Sequence, residues 1–184
     1  METLHPAVVH FAIVLPLVAL TMQGLYLLKR ERAYSKVSLV TLVFAFIFVL
    51  ASYLTGSNDG SDVAEILSMY DKDGMAELKE HAQLGYYLLI AISVIAALKV
   101  VNFFVFKKKV LELIIALSLL ILSAMMLLQG KEGGEIVYEH GTLFEGHEMK
   151  DILEESLVDL ADSDDKDESI EILTDAIKTI LKKD

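Results

Sequence analysis

Long apolar runs separated by short charged intervals dominate the first 130 residues. Four runs, about 6–28, 37–54, 82–106 and 110–128, reach the roughly 20 apolar residues needed to cross a bilayer. The hydrocarbon core offers no water to the backbone, so each must close its own hydrogen bonds as a helix. The pattern predicts an all-α fold: a four-helix transmembrane bundle within residues 1–147 and an acidic tail over 148–184. The first run begins Met1-Glu2-Thr3 and is followed by basic residues, the reverse of a cleaved leader, so it reads as a retained helix.

Beyond residue 128 the pattern changes. Gly130 and the pair Gly133-Gly134 read as helix breakers. Residues 136–141 are short enough to make a strand-like return across the bundle mouth. In the tail, Ile152, Leu153, Leu157 and Leu160 fit one helical face, and Ile170, Leu173, Ile177, Ile180 and Leu181 fit another. The tail is thus expected to be an amphipathic helical segment outside the membrane, hinged at the acidic run 162–167.

Charge gives the bundle a direction. The first connection holds Lys29, Arg30, Arg32 and Lys36 against Glu31, and the third is Lys107-Lys108-Lys109. The connection over 55–80 is acidic, with Asp59 among its seven carboxylates. The positive-inside rule places the two basic connections in the cytoplasm and both termini outside it. Lys99, about two turns from the inner end of the third helix, is expected to snorkel to that surface.

The chain's net charge of −11 is contrary to the basic face that nucleic acid requires. With no cysteine, it can form neither disulfides, thiolate metal sites nor covalently attached haem.

All five histidines fall on the predicted outer side. His5 precedes the first helix, His10 lies about one turn inside it, His81 opens the third, and His140 and His147 follow the fourth. His5, beside Pro6, suits a helix start, and His147 in its charged run suits solvent. His10 lies among apolar residues, where an ionisable group calls for a partner. Five residues separate His5 from His10, about 140° of rotation, so a regular helix cannot aim both at one ion. Pro16 removes an amide donor and displaces the Ala12 carbonyl, which should bend the first helix below His10.

Leu4-His5-Pro6-Ala7-Val8-Val9-His10-Phe11 resembles the opening motif of the DUF2231 family of small bacterial membrane proteins. Leu54-Thr55-Gly56 with Asp59 is similar to that family's Thr-Gly turn, and His81-Ala82 to its His-Ala. The run 133–141, Gly-Gly-Glu-Ile-Val-Tyr-Glu-His-Gly, resembles its closing motif. The likeness covers residues 4 to about 145. Ala12 stands where proline is frequent, and Thr142-Leu143-Phe144 replaces a small, apolar ending. The resemblance implies that His5, His10, His81 and His140 are signature residues, and a bacterial inner-membrane location. It also implies an outline like small b-type cytochromes and association with redox proteins.

The function expected first is therefore binding of haem b for electron transfer at the outer face. His10 and His81 are the favoured axial ligands, and His5 and His140 a second pair or a cover. The alternative is a transition-metal site for copper, zinc or iron, with His10 and His81 as direct ligands and His5, His140 and Asp59 completing the shell. A third reading is a structural subunit whose tail packs on a larger membrane complex. The implied partners are the lipid bilayer, a redox protein or larger complex, and a second copy of the chain. Nucleophile–base arrangements, phosphate loops and metalloprotease motifs are absent, which argues for a redox or binding subunit over an enzyme. With no charge expected at mid-membrane depth, a transporter is also disfavoured.

Overall fold

A computed structural model describes residues 5–70 and 72–139, together with 155–156, 158, 170 and 172–177 of the tail. All the helices expected across the bilayer are present: α1 (His5–Lys29), α2 (Arg32–Tyr70), α3 (Lys72–Val101) and α4 (Lys109–Glu139). A π-helical turn, Asn102–Phe106, ends α3. Each helix contains a stretch long and apolar enough to span a membrane. They pack in a ring, α1 against α2 and α4, and α3 against α2 and α4, leaving α1 and α3 diagonal to one another. Ala19, Leu42, Ile92, Ile115 and Leu119 are fully buried at the centre. Phe11 stacks on Phe48 between α1 and α2 with centroids 4.8 Å apart.

Two connections are very short and lie at the same end. Arg30 adopts a left-handed conformation (φ 60°), its N–H bonded 2.9 Å from the Tyr26 carbonyl, and α2 starts two residues later. Lys107 does the same after the π-helical turn (φ 52°), its N–H 2.7 Å from the Asn102 carbonyl. A cation in this position meets the negative end of the preceding helix dipole.

Three expectations are corrected. The acidic stretch 55–80 is helix rather than loop, interrupted in the description only at residue 71. At about 1.5 Å per residue the 39-residue α2 is about 58 Å long, roughly twice the hydrocarbon thickness, so its acidic end projects beyond it. Second, α4 runs through Gly130, Gly133 and Gly134 to Glu139, so residues 136–139 are helical and not strand-like. Glycine costs about 1 kcal/mol relative to alanine within a helix, and here Gly130 and Gly133 admit side chains of α1 and α3 against the helix. Pro16 lies buried within α1.

The third correction concerns Lys99, which is fully buried instead of snorkelling. Its three N–H donors reach Glu112 Oε2 at 2.6 Å, Gln23 Oε1 at 2.8 Å and Ser35 Oγ at 2.9 Å. The Tyr26 ring lies 5.5 Å from the ammonium. Gln23 Nε2 donates to Glu112 Oε2 at 2.6 Å, and Asn102 Nδ2 to Glu112 Oε1 at 2.9 Å. Ser38 Oγ lies 3.1 Å from Gln23 Oε1. Asn102 Oδ1 accepts the Lys108 N–H at 3.0 Å, tying the carboxylate to the turn. One ion pair thus connects α1, α2, α3 and α4 at the basic end. Snorkelling costs less than burial for a lone lysine, but a carboxylate and two acceptors within reach reverse that preference.

Removing one partner leaves the other charge buried alone. Lys99→Met or Glu112→Leu is expected to destabilise the bundle by about 3–5 kcal/mol, and the double variant to recover most of that loss. Unfolding of the micellar protein by SDS titration measures both; a double variant as unstable as the sum of the singles contradicts the coupling.

Candidate functional site

The end of the bundle away from the two basic turns carries His5 and His81. His5 opens α1, and its Nδ1–H donates to the Ser52 carbonyl of α2 at 2.9 Å, with Thr55 Oγ1 at 3.3 Å. Thr55 in turn donates to the Ala51 carbonyl at 2.9 Å. With Nδ1 carrying the proton, Nε2 is the ring nitrogen that keeps a lone pair. A backbone carbonyl on Nδ1–H is the usual way to fix a ligating imidazole.

His81 comes from α3, on the opposite diagonal. Gln129 of α4 donates from Nε2 to the His81 carbonyl at 2.9 Å, fixing the backbone that presents the ring. The His81 Nδ1 and the Gln129 Oε1 are both buried without a hydrogen-bond partner. Such orphans are rare in folded proteins, and each costs about 1–3 kcal/mol unless something fills the gap.

Both imidazoles line one cavity of about 150 Å³. Its remaining wall is largely apolar, with Val9, Ala12, Ile13, Val49, Leu88 and Met126, and Gln129 contributes an amide. Two glycines make room for the rings. A methyl group on Gly56 would stand 2.7 Å from His5 Cε1, and one on Gly133 would stand 2.9 Å from His81 Cε1. Gly130 likewise admits Ile13, whose Cδ1 would lie 2.7 Å from an added methyl. Two of the glycines that look like helix breakers, Gly130 and Gly133, are therefore contact surfaces, and at Gly56 and Gly133 α2 and α4 lie directly against the imidazoles.

The sequence-predicted residues divide accordingly. His5 and His81 share the cavity. His10 is exposed on the flank of α1 and does not line it. The favoured pair His10 and His81 is thus not the pair brought together; α1 is helical from His5 onward, and the 140° rotation leaves room for only one of its histidines. Asp59 also lies outside the lining, although its Oδ2 is buried without a partner. His140 and His147 fall outside the described residues. Among those described, no group of three or more His, Cys, Asp and Glu side chains gathers around one point. Sequence reasoning missed Gln129, Met126 and the ring-packing roles of Gly56 and Gly133. It also missed Glu112, although opposite charges at 99 and 112, inside two adjacent apolar runs, were a usable signal.

Fold and site together define a four-helix membrane bundle with two imidazoles on a shared cavity at one end and a buried ion pair at the other. A family model described as "Predicted membrane protein (DUF2231)" matches residues 1–145. The chain belongs to that family. No curated protein and no solved structure matches it.

Gly56→Ala is expected to push the His5 ring off the Ser52 carbonyl and to cost about 1–3 kcal/mol. Gly133→Ala should displace His81 in the same way, whereas Gly134→Ala, with nothing within 4 Å of the new methyl, should not. Imidazole ¹⁵N NMR reads this directly: the bonded His5 Nδ1–H resonance should disappear in Gly56→Ala only. An unchanged resonance there contradicts the packing.

Proposed function

We propose that this is a metal-binding membrane protein that holds a transition-metal cation between His5 and His81 at the outer face of the bilayer. The observation that carries the reading is that His5 and His81, from diagonal helices, line one cavity, and that the His81 ring has a buried nitrogen, Nδ1, with no hydrogen-bond partner. Its supporting groups point the same way. His5, His81 and Gln129 all line that largely apolar cavity, and neutral imidazole nitrogens with an amide oxygen are donors that suit a transition-metal cation.

Outer-face placement follows from the seven lysines and arginines at 29, 30, 32, 36 and 107–109, which the positive-inside rule assigns to the cytoplasm. A bacterial inner membrane with both termini outside is the matching location. A cysteine at Lys108 should then resist an impermeant thiol reagent in intact cells, while one at Lys79 should react. The opposite pattern would put the cavity on the cytoplasmic side.

Haem b is the second reading, favoured by two imidazoles arriving from diagonal helices. A cavity of about 150 Å³ does not accommodate it: sites for drug-sized molecules run from about 300 to 1,000 Å³. Haem would require the outer ends of α1 and α3 to separate, so the metal ion is the better fit.

One preparation distinguishes the two. The purified protein is expected to bind one equivalent of copper or zinc after reconstitution and to show no Soret band. His5→Ala and His81→Ala should each remove that binding, and His10→Ala should leave it intact. A Soret band, or full metal occupancy in both single variants, overturns the assignment.

A further inference from the structure

The charge and softness of the cavity wall narrow the metal. Building on the reading that His5 and His81 hold a cation, we infer that the cation is monovalent copper, Cu(I), and that Met126 is its third ligand. Met126 is buried on α4 and lines the same cavity as the two histidines. Among the described residues no aspartate or glutamate lines that cavity, and the chain has no cysteine. The described wall therefore offers neutral donors: two imidazoles, a thioether, an amide oxygen and the hydroxyls of Ser52, Tyr53 and Ser57, of which the imidazoles and the thioether are the soft ones.

Two independent arguments follow from that donor set. The first is charge. Desolvation grows with the square of the charge, so a dication costs roughly four times as much to bury as a monocation, and no anion among the described lining residues offsets it. Zinc and ferrous sites usually recruit a carboxylate or thiolate for this purpose. The second is softness. A thioether is a weak ligand for hard or borderline dications but suits Cu(I), as does imidazole. Three neutral ligands also satisfy Cu(I) with no water in the shell, and the apolar wall of Val49, Leu88 and Ile13 would exclude it.

The test uses the full-length protein in detergent micelles, with Cu(I) affinity measured anaerobically against bicinchoninate and Zn(II) affinity against a chelating dye. Met126→Leu keeps the volume and the apolar character of the side chain, so the bundle should retain its fold. It is expected to weaken Cu(I) binding about tenfold or more while leaving Zn(II) affinity unchanged. Met125→Leu, next along α4, should alter neither. Silver(I), also soft and monovalent, should displace Cu(I) from the wild-type protein, which tests the donor set without any substitution.

Unchanged Cu(I) affinity in Met126→Leu, with binding lost in His5→Ala and His81→Ala, would overturn the role of Met126 and leave the two-histidine site standing. Tighter binding of Zn(II) than of Cu(I), or failure of silver to compete, would overturn the choice of metal. Cu(I) binding that survives loss of both histidines would overturn the underlying site.

Discussion

A lysine ammonium and a glutamate carboxylate, 2.6 Å apart and both buried in a bundle built to sit in lipid, impose the strongest constraint on this structure. Neither charge has an acceptable alternative within hydrocarbon, so the helices that carry them must stay together. Gln23 and Ser35 complete the lysine's three bonds, and Asn102 takes the carboxylate's second oxygen. Rotating any one helix would break at least one of these contacts. The pair therefore fixes the order and facing of the helices, which apolar contact alone, weakly directional in lipid, does not. It contributes specificity more than stability, since a well-packed apolar replacement can match a buried pair energetically.

The opposite end is built by a different principle. There the diagonal helices α1 and α3 carry imidazoles, and α2 and α4 approach them through Gly56 and Gly133. With the helix order set at the basic end, the cavity between the rings can remain partly unfilled and carry orphaned lone pairs. That division of labour agrees with a general pattern in which stability is surrendered at a binding site and supplied elsewhere. Copper held by neutral donors would complete the polar bonding of the cavity without adding a buried dication.

Much of this was legible in the chain. Four apolar runs fixed the number of helices and the all-α class, because lipid permits few other backbone arrangements. The order of motifs placed His5 and His81 at one end. The 140° rotation between His5 and His10 argued against one shared ion on a regular helix, but not which of the two would line the cavity, because that depends on the neighbours of α1. Other features could not be seen locally. Gly130 and Gly133 have low helix propensity, and their place in a helix is explained by the Ile13 methyl and the His81 ring that pack against them. Lys99 looked able to snorkel because its pairing with Glu112, hinted at by opposite charges in two adjacent apolar runs, also depends on Gln23 and Ser35 arriving from α1 and α2.

The relation between the two rings is the central claim, and X-ray absorption at the copper edge of the Cu(I)-loaded protein tests it most directly. The account predicts scattering from the imidazoles of His5 and His81 and one sulfur shell. In His81→Ala the copper and its imidazole scattering should be lost, with no change in His10→Ala. A spectrum showing an oxygen shell alone, or the same imidazole scattering with and without His81, would contradict it.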